Sequence, residues 1–328
     1  MSNSRLIYLL FFTFMLCCFG QISTTHAANL YSFIMLDTDD RDIGADRDLI
    51  SIDTWLTKIS RNTGLIEKRH ILKIEGDMVS EQKGLEQAKA LLENSGHGPG
   101  DVVIFYYSGH GLSSETSEKW PRLAMGGKTT KSQNFLEVEY VREVLSKKNP
   151  QLLLILVDAC NNSALPIFPS LTKDLLSNPE LPESYKKLFL GYEGILIASS
   201  SKKGEVSYGT QVSGGVFTRA FADQLRKQLI STSPSWEAIA TALDGKPLTP
   251  GGAFTDTKQH PQFDISKLKA KNGVLIHSPA QPVVSPLPSV VSPPPSRLLC
   301  KDGPKAYFKK EGRKCCFISH SNEEIMCY

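Results

Sequence analysis

The sequence predicts an α/β protein built around a mostly parallel sheet that is buried on both faces. Between Asn29 and His277, short apolar runs alternate with longer amphipathic runs, which is the pattern of strands joined by crossover helices. The short runs are almost continuous in valine, isoleucine and leucine, as strands are when helices cover both faces of a sheet. With 328 residues, of which 41% are hydrophobic, the chain is large enough to bury a sizeable core.

Strand and helix candidates follow from these patterns in chain order. The strand candidates are Leu30–Leu36, Asp101–Tyr107, Leu152–Val157 and Gly194–Ala198. The helix candidates are Leu49–Arg61, Glu81–Asn94, Val138–Lys147, Phe217–Leu229 and Trp236–Leu243. Before the second strand, Gly96–Gly100 predicts a helix stop and a turn, with His97 on the surface. Parallel sheets bind ligands beyond the carboxyl ends of their strands, so the residues directly after each strand are the candidates for function.

The N-terminal segment predicts export. The apolar run Leu6–Phe19 has about the length of the hydrophobic part of a signal peptide, and it is shorter than the roughly 20 residues that a spanning helix needs. Thr25–Ala27 supplies small residues for a cleavage site. We therefore expect residues 1–27 to be a signal peptide and the mature protein to be periplasmic or secreted, with a signal anchor as the alternative.

Two segments follow the main domain, which we place at residues 28–277. Residues 278–299 are rich in proline and serine and almost uncharged, so they predict a semi-rigid linker without a core. Residues 300–328 predict a small basic module, expected to be stapled by two disulfides, with a zinc site as the alternative. Its four cysteines are Cys300, Cys315, Cys316 and Cys327. The basic side chains suggest contact with an anionic surface, although a solubilising role is the alternative.

The charge pattern argues against a nucleic-acid partner and against a regular metal loop. The 37 Lys and Arg residues against 34 Asp and Glu residues give a net charge of only +3. The acidic cluster Asp37–Asp48 lacks the ligand spacing of a calcium loop and is predicted to be a solvated loop, while calcium stays open as an activator. The sequence predicts no particular oligomeric state.

Counting the cysteines singles out Cys160. Of the 7 cysteines, Cys17 and Cys18 leave with the signal peptide, and the four in the tail are expected to pair with one another. The remaining thiol, Cys160, has no predicted partner. An unpaired cysteine in an oxidising compartment is a liability unless it is buried or reactive.

A histidine and this thiol follow two candidate strands. His110 comes directly after the second strand, and Cys160 after the third. An ordinary thiol has a pKa of about 8.5, so a cysteine nucleophile needs an imidazole close by. Taken singly, a turn histidine and a buried cysteine are the simpler interpretations, but their shared position at strand ends favours a catalytic pair. The backbone N–H groups of Gly111 and Cys160 are candidates for an oxyanion hole.

These residues lie in stretches that resemble the caspase-like cysteine peptidases, including caspases and metacaspases. The stretches are Val103–Gly111, Leu154–Cys160, Leu196–Ser200 and Gly214–Thr218. The resemblance covers most of Asn29–Phe263 and implies a three-layer α/β/α sandwich of the caspase–hemoglobinase type. It also implies a His110–Cys160 dyad that acts on a peptide or protein substrate without an organic cofactor. Ser199 and Ser200 are expected to contribute to substrate binding.

The same resemblance predicts which side chain is recognised before the scissile bond. Asp158 lies two residues before the nucleophile, where metacaspases carry Asp and caspases carry Gln in the pocket for that side chain. A carboxylate there favours Arg or Lys through a charge-assisted hydrogen bond. Asp39 and Asp40 lie in a loop that by resemblance approaches the pocket. Arg41 supports the alternative of a caspase-type preference for Asp, and basic specificity is the favoured prediction.

Two further features bear on the subfamily and on activation. Asn161, Asn162 and Ser163 replace the metacaspase His-Ser-Gly and the caspase Arg-Gly after the nucleophile, so the subfamily stays open. Pro166–Lys187 is long for a connection and predicts a functional or mobile loop. Family members are often cut here, which leads to the hypothesis of self-processing after Lys173, Lys186 or Lys187.

Two rival functions remain beside a thiol endopeptidase. The first is a catalytically silent, caspase-like module that binds peptides without cutting them. The second is other acyl chemistry in the same cleft, such as transpeptidation. An intact pair of His110 and Cys160 favours the peptidase over the silent module.

Overall fold

The structure is a computed structural model. It describes residues 28–38, 43–75, 81–126, 134–162, 179–211, 213–249 and 258–271, together with three strands near the C terminus at 308–311, 314–318 and 324–327. The predicted signal peptide, the predicted linker, and Asp39, Asp40 and Lys173 lie outside the described residues. The chain divides into two units, Met1–Val274 and Leu275–Tyr328.

The helices and strands of the described residues are numbered in chain order. The helices are α1 (Ala45–Thr63), α2 (Glu81–Glu93), α3 (Val138–Ser146), α4 (Pro182–Leu190), α5 (Val216–Leu229) and α6 (Trp236–Leu243). The strands of the first unit are β1 (Asn29–Asp37), β2 (Ile66–Ile74), β3 (Val102–Gly109), β4 (Gly111–Ser113), β5 (Pro121–Ala124), β6 (Phe135–Glu137), β7 (Leu152–Ala159), β8 (Tyr192–Ser199), β9 (Gly209–Thr210), β10 (Gly214–Gly215), β11 (Gln262–Asp264) and β12 (Lys269–Ala270). Those of the second unit are β13 (Phe308–Glu311), β14 (Lys314–Ile318) and β15 (Glu324–Cys327).

A mostly parallel sheet forms the centre of the first unit, as predicted. Within the described ranges it has seven strands in the order β11-β8-β7-β3-β1-β2, with β12 also paired to β8. The pairs β1·β2, β1·β3, β3·β7 and β7·β8 are parallel, while β11 and β12 run antiparallel to β8. A small antiparallel sheet of β4, β5 and β6 lies directly after β3 in the chain.

Helices cover both faces of the sheet, which confirms the three-layer sandwich. Successive strand residues point to opposite faces, so Ile104 packs into one core cluster and Phe105 into the other. Residues of α1, α4, α5 and α6 fill the cluster on the Ile104 face, where the Trp236 indole N–H donates to the Leu188 carbonyl at 2.8 Å. Residues of α2 and α3 fill the cluster on the Phe105 face. None of the helices in the described ranges has the length and apolar character that crossing a membrane requires.

The predicted elements are all present, and the structure adds several that the patterns did not show. The edge strand β2 was missed because its exposure alternates and its sequence is largely charged, so no apolar run marks it. Helix α4 begins inside the stretch predicted to be a loop and continues beyond it to Leu190; its first residue, Pro182, is of a type favoured in the first turn of a helix. Lys186 and Lys187 therefore lie in a packed helix rather than in a loop. Self-processing after either lysine would first require local unfolding.

The second unit contains a three-stranded antiparallel sheet in the order β13-β14-β15. Cys315 and Cys316 lie on β14, and the register places Cys316 opposite Cys327 of β15. Cys300 lies outside the described residues. The disulfide staple of this module stays a prediction.

His97 is buried, so its predicted position on the surface is wrong. Only 4% of the residue is exposed. Its Nδ1 lies 2.8 Å from Ser95 Oγ, and its Nε2 lies 2.8 Å from the Leu145 carbonyl oxygen. Burial lowers the pKa of the imidazole, and the charge of Lys148 lowers it further. The glycine-rich turn thus carries a core histidine that ties the end of α2 to α3.

We expect His97 to make the protein sensitive to mild acid. Its pKa is lowered in the folded state, so the unfolded chain takes up the proton more readily once the pH falls below the ordinary value of about 6.5. The stability it contributes is complete above that pH and is lost as the pH falls toward the lowered value. Urea unfolding at pH 7 and pH 5 should show a larger loss of stability for the wild type than for His97→Gln. Equal losses in both proteins would contradict this prediction.

Candidate active site

His110 and Cys160 leave neighbouring parallel strands at the same edge of the sheet. The register of β3 and β7 pairs Gly109 with Ala159, the residues directly before them. Because both strands are parallel, the two next residues emerge side by side at the carboxyl ends, where α/β sheets bind ligands. The first unit therefore presents an imidazole and a thiol at one end of its central sheet.

The Cys160 thiol is enclosed by the loop that follows β8. The residue is 6% exposed, the N–H of Ser207 donates to Sγ at 3.3 Å, and the thiol faces the Ser207 carbonyl at 3.6 Å. Burial raises the pKa of the thiol to about 11, and the nearby charge of Asp158 contributes to the increase. The resting thiol is therefore protonated at neutral pH, and a base must accept its proton before it can attack.

His110 is held through its backbone and faced by a buried acid. Its carbonyl accepts from the N–H of Ala124 at 3.0 Å and from the hydroxyl of Tyr107 at 2.7 Å. Its Nε2 lies 3.9 Å from Oδ2 of Asp37, the last residue of β1. The imidazole is 11% exposed and the Asp37 side chain 2%. The ring is thus largely enclosed but still partly exposed.

Gly111 packs directly against the backbone of Cys160. A Cβ at this position would lie 2.4 Å from the Cys160 carbonyl oxygen and 2.8 Å from Cβ of Ala159. Only glycine permits this approach, because any side chain would push β4 away from the end of β7. The close packing brings together the two residues whose N–H groups were predicted to form an oxyanion hole.

Asp158 is buried and bound on both carboxylate oxygens. The Ser207 hydroxyl donates to Oδ1 at 2.6 Å, while the Thr218 N–H and hydroxyl donate to Oδ2 at 2.9 and 2.7 Å. Burial raises the pKa of this carboxyl, and the donated hydrogen bonds oppose the increase. Ser207 contacts both this acid and the Cys160 thiol, so the predicted pocket acid lies close to Cys160.

A second buried acid, Asp48, accompanies Asp158. It accepts from the Ser108 hydroxyl at 2.6 Å and from the Gly215 N–H at 2.9 Å. Burial, followed by the like charge of Asp158, raises the pKa of Asp48 to about 8. A Cβ on Gly215 would lie 1.9 Å from Asp158 Oδ2, so the bare glycine leaves the space that the acid pair occupies. Two carboxyls this close hold a proton at neutral pH.

The acidic cluster Asp37–Asp48 is buried at both of its ends. Asp37 is 2% exposed and Asp48 is 1% exposed, which overturns the predicted solvation for these two residues. Asp39 and Asp40 lie outside the described residues. Among the residues that the structure describes, no group of three or more His, Cys, Asp or Glu side chains is arranged to hold a metal ion.

Ser199 and Ser200, which were predicted to contribute to substrate binding, lie in the interior of the first unit. Both are fully buried. The Ser200 hydroxyl donates to the Ala159 carbonyl at 2.9 Å and accepts from the Ala159 N–H at 3.0 Å. The Ser199 hydroxyl donates to the Ser201 carbonyl at 3.3 Å. The hydrogen bonds of Ser200 fix the end of β7 directly before Cys160, whereas Ser199 bonds within its own segment at the end of β8.

Asn161, which departs from the caspase and metacaspase sequences directly after Cys160, has a structural role. The N–H of Asn161 donates to the Glu205 carbonyl at 2.9 Å, and its carbonyl accepts from the Gly204 N–H and the Ser113 hydroxyl, both at 2.7 Å. Its side-chain amide donates to the Lys119 carbonyl at 3.1 Å. Asn161 therefore ties the chain directly after Cys160 to the loop after β8, to the end of β4 and to the segment between β4 and β5.

Comparison with known proteins places this architecture in a family. A family model of the caspase domain matches residues 43–272. Among solved structures, caspase-1 from Spodoptera frugiperda is similar, with 16% sequence identity over 74% of this chain and 90% of that chain, and a TM-score of 0.40. No curated protein is detectably similar to the chain. Because the family model spans well over half of its length, this chain belongs to the caspase-domain family of peptidases.

Proposed function

We propose that the protein is a cysteine endopeptidase in which Cys160 is the nucleophile and His110 is the general base and acid. The observation that carries this proposal is the pairing of Gly109 with Ala159, which sends His110 and Cys160 out of adjacent strands at one edge. Enclosure of the thiol supports it, because a thiol with a pKa raised to about 11 needs a neighbouring base in order to react.

The reaction follows from these positions. His110 accepts the thiol proton as Sγ attacks the carbonyl carbon of the scissile bond, and the oxyanion is stabilised by the N–H groups of Gly111 and Cys160. His110 then returns the proton to the leaving amine, which breaks the C–N bond and leaves a thioester on Cys160. A water molecule gives a proton to His110 and attacks the thioester. The acid product leaves, and the proton returns to Sγ.

The acid pair supports a preference for Arg or Lys before the scissile bond. Asp158 is connected to Cys160 through Ser207, and Asp48 is coupled to Asp158. Burial raises the pKa of both carboxyls, and the like charge of Asp158 raises that of Asp48 further, to about 8, so Asp48 holds a proton at neutral pH. A guanidinium or ammonium that reaches them displaces that proton and forms charge-assisted hydrogen bonds. An acidic side chain would instead meet a site that already repels negative charge.

Cleavage of matched peptides tests the proposal directly. Peptides that differ only in Arg, Lys or Asp before the scissile bond are incubated with the protein under reducing conditions, with and without calcium. We expect cleavage after Arg and Lys that is absent in Cys160→Ala. Cleavage after Asp alone would overturn the basic specificity. No cleavage by folded protein with a free Cys160 thiol would overturn the peptidase and favour the silent binding module.

Export is part of the proposed function and is supported by the apolar run Leu6–Phe19. In cells that secrete the protein, N-terminal sequencing of the exported form should begin near Ala28 or Asn29. A form that stays in the membrane fraction with its N-terminal segment uncut would favour the signal anchor.

Selectivity for a basic side chain should increase with pH. Asp48 loses its proton only near pH 8, so the acid pair reaches its full negative charge above that pH. We expect the ratio of kcat/KM for an Arg peptide to that for a Gln peptide to increase by about tenfold from pH 6 to pH 8. Taking the ratio removes the pH dependence that comes from His110 and Cys160, because that dependence is the same for both peptides. In Asp48→Asn the increase should disappear, and an unchanged increase would contradict the role of Asp48.

A methyl group on Gly111 should impair catalysis strongly. In Gly111→Ala the added Cβ meets the Cys160 carbonyl oxygen at 2.4 Å, so the backbone around the predicted oxyanion hole must shift. We expect kcat/KM to fall by about 100-fold or more, the usual cost of one lost oxyanion donor. Gly98→Ala is the matched control, because its Cβ would meet nothing within 4 Å. Equal activity of the two variants would contradict the proposed oxyanion hole.

A further inference from the structure

Asp37 lies at the end of a strand next to the proposed base. β1 pairs in parallel with β3, and the register sets Leu36 opposite Ser108. Asp37 follows Leu36, and His110 leaves β3 two residues after Ser108, so both emerge at the edge that carries Cys160. The Asp37 carboxylate and the His110 imidazole thus come from adjacent strands of a rigid sheet, which makes their separation a property of the fold.

Gly109 makes room for this approach. A Cβ on Gly109 would lie 2.9 Å from Cβ of Asp37 and 2.7 Å from the hydroxyl of Tyr107. With no side chain in between, Asp37 Oδ2 lies 3.9 Å from His110 Nε2. Because the Asp37 side chain is only 2% exposed, water screens this pair poorly.

We propose that Asp37 is a positioning residue for His110, an inference that rests on the proposed function. Its carboxylate faces Nε2, so Nε2 keeps its proton and Nδ1 becomes the nitrogen that exchanges a proton with Cys160. When Nδ1 accepts the thiol proton, the imidazole becomes positively charged and Asp37 stabilises that charge. A distance of 3.9 Å in the resting site is compatible with this role, since catalytic hydrogen bonds often tighten only when substrate is bound.

The surroundings of the pair are fixed by other groups. The Tyr107 hydroxyl donates to the carbonyls of His110 and Ala124, so the backbone of the histidine does not depend on Asp37. The titratable groups that the structure places near His110 include Asp37 on β1, Tyr107 on β3, whose hydroxyl donates to the His110 carbonyl, and Cys160 after β7. The pKa of Tyr107 is raised well above its usual value by burial, and the charges of Asp37 and Cys160 raise it further. It therefore stays neutral throughout the pH range of the experiment.

Alkylation of Cys160 by iodoacetamide tests this role without any substrate. The rate is measured against pH for the wild type, Asp37→Asn, His110→Ala and the Asp37→Asn/His110→Ala double variant. We expect Asp37→Asn to lower the alkylation rate near neutral pH by about tenfold, because an imidazole that has lost its carboxylate partner accepts the thiol proton less readily. The double variant should match His110→Ala, since Asp37 acts through the histidine. A further decrease of the rate in the double variant would overturn the proposal.

Peptide kinetics provide the second measurement. With an Arg peptide, Asp37→Asn should lower kcat by roughly 30-fold and change KM by less than about threefold, because the substrate contacts are untouched. Asp101→Asn is the matched control. It is also a buried acid beside β3 but lies at the opposite end, where it accepts from Asn29 N–H at 2.8 Å and Gly98 N–H at 2.9 Å. Asp37→Ser replaces Asp37→Asn if the latter does not fold.

The outcomes separate this inference from the proposed function. If the wild type cleaves peptides while Asp37→Asn keeps both the wild-type kcat and the wild-type alkylation profile, the role of Asp37 is overturned and the peptidase stands. If the wild type cleaves nothing but Asp37→Asn shifts the alkylation profile only when His110 is present, the positioning role is supported and the proposed peptidase is overturned.

Discussion

Replacing Cys160 by alanine is expected to lower kcat/KM for peptide cleavage by more than about 10⁴-fold. No other thiol lies at this edge among the described residues, and Cys160 is the free cysteine there. Alanine removes Sγ and its two contacts with Ser207 but leaves the backbone N–H of residue 160 in place. The unfolding midpoint should therefore change by no more than about 4 °C, the effect of a small cavity.

His110→Ala should cause a comparable loss of kcat/KM. The Cys160→Ala/His110→Ala double variant should be no worse than either of these single variants. The two side chains act as a unit, because a thiol with a pKa raised to about 11 does not react without its base. Progress curves at high enzyme concentration, with thermal unfolding as the folding control, measure both effects. If folded Cys160→Ala retains more than about 1% of the activity, another group must be the nucleophile.

The position of His110 and Cys160 at one edge of the sheet could be predicted from the sequence because each residue directly follows a strongly apolar strand. β3 and β7 are fully buried, so their sequences are continuous in apolar residues and their ends are easy to locate. In a parallel sheet, consecutive carboxyl ends meet at one edge, which places His110 and Cys160 together without any knowledge of the loops. The cysteine count supplied an independent reason to examine Cys160.

Other parts of the site depend on tertiary structure that no local pattern carries. Ser207 and Thr218 are single polar residues whose roles arise only when the loop after β8 and the start of α5 pack against Asp158. Asp37 and Asp48 belong to an acidic stretch that normally predicts solvation, but the strand end and the first turn of α1 bury them. The strand-end argument, applied to β1 as it was to β3 and β7, would have identified Asp37.

Substituting Asp158 by asparagine is expected to remove the preference for basic side chains while leaving the protein folded. The asparagine oxygen can accept from the Thr218 N–H and hydroxyl in place of Oδ2, and its amide can donate to the Ser207 hydroxyl in place of Oδ1. The substitution therefore removes only the negative charge of the side chain at position 158. A hydrogen bond to a charged group contributes about 1.5–3 kcal/mol, so kcat/KM for Arg and Lys peptides should fall by roughly 100-fold.

The loss should be specific to basic substrates, and this distinguishes a pocket acid from a residue that merely supports the nucleophile. We expect kcat/KM for a Gln peptide to stay within about threefold of the wild type, and stability at pH 8 to be equal or higher. Stability should rise because the pKa of Asp48 is raised by burial and then by the like charge of Asp158, and removing that charge relieves the repulsion between the two acids. The measurements are kcat/KM for the Arg and Gln peptides and urea unfolding at pH 8. If both peptides lose the same factor, Asp158 acts through Ser207 on the Cys160 thiol, and the basic pocket must be sought elsewhere.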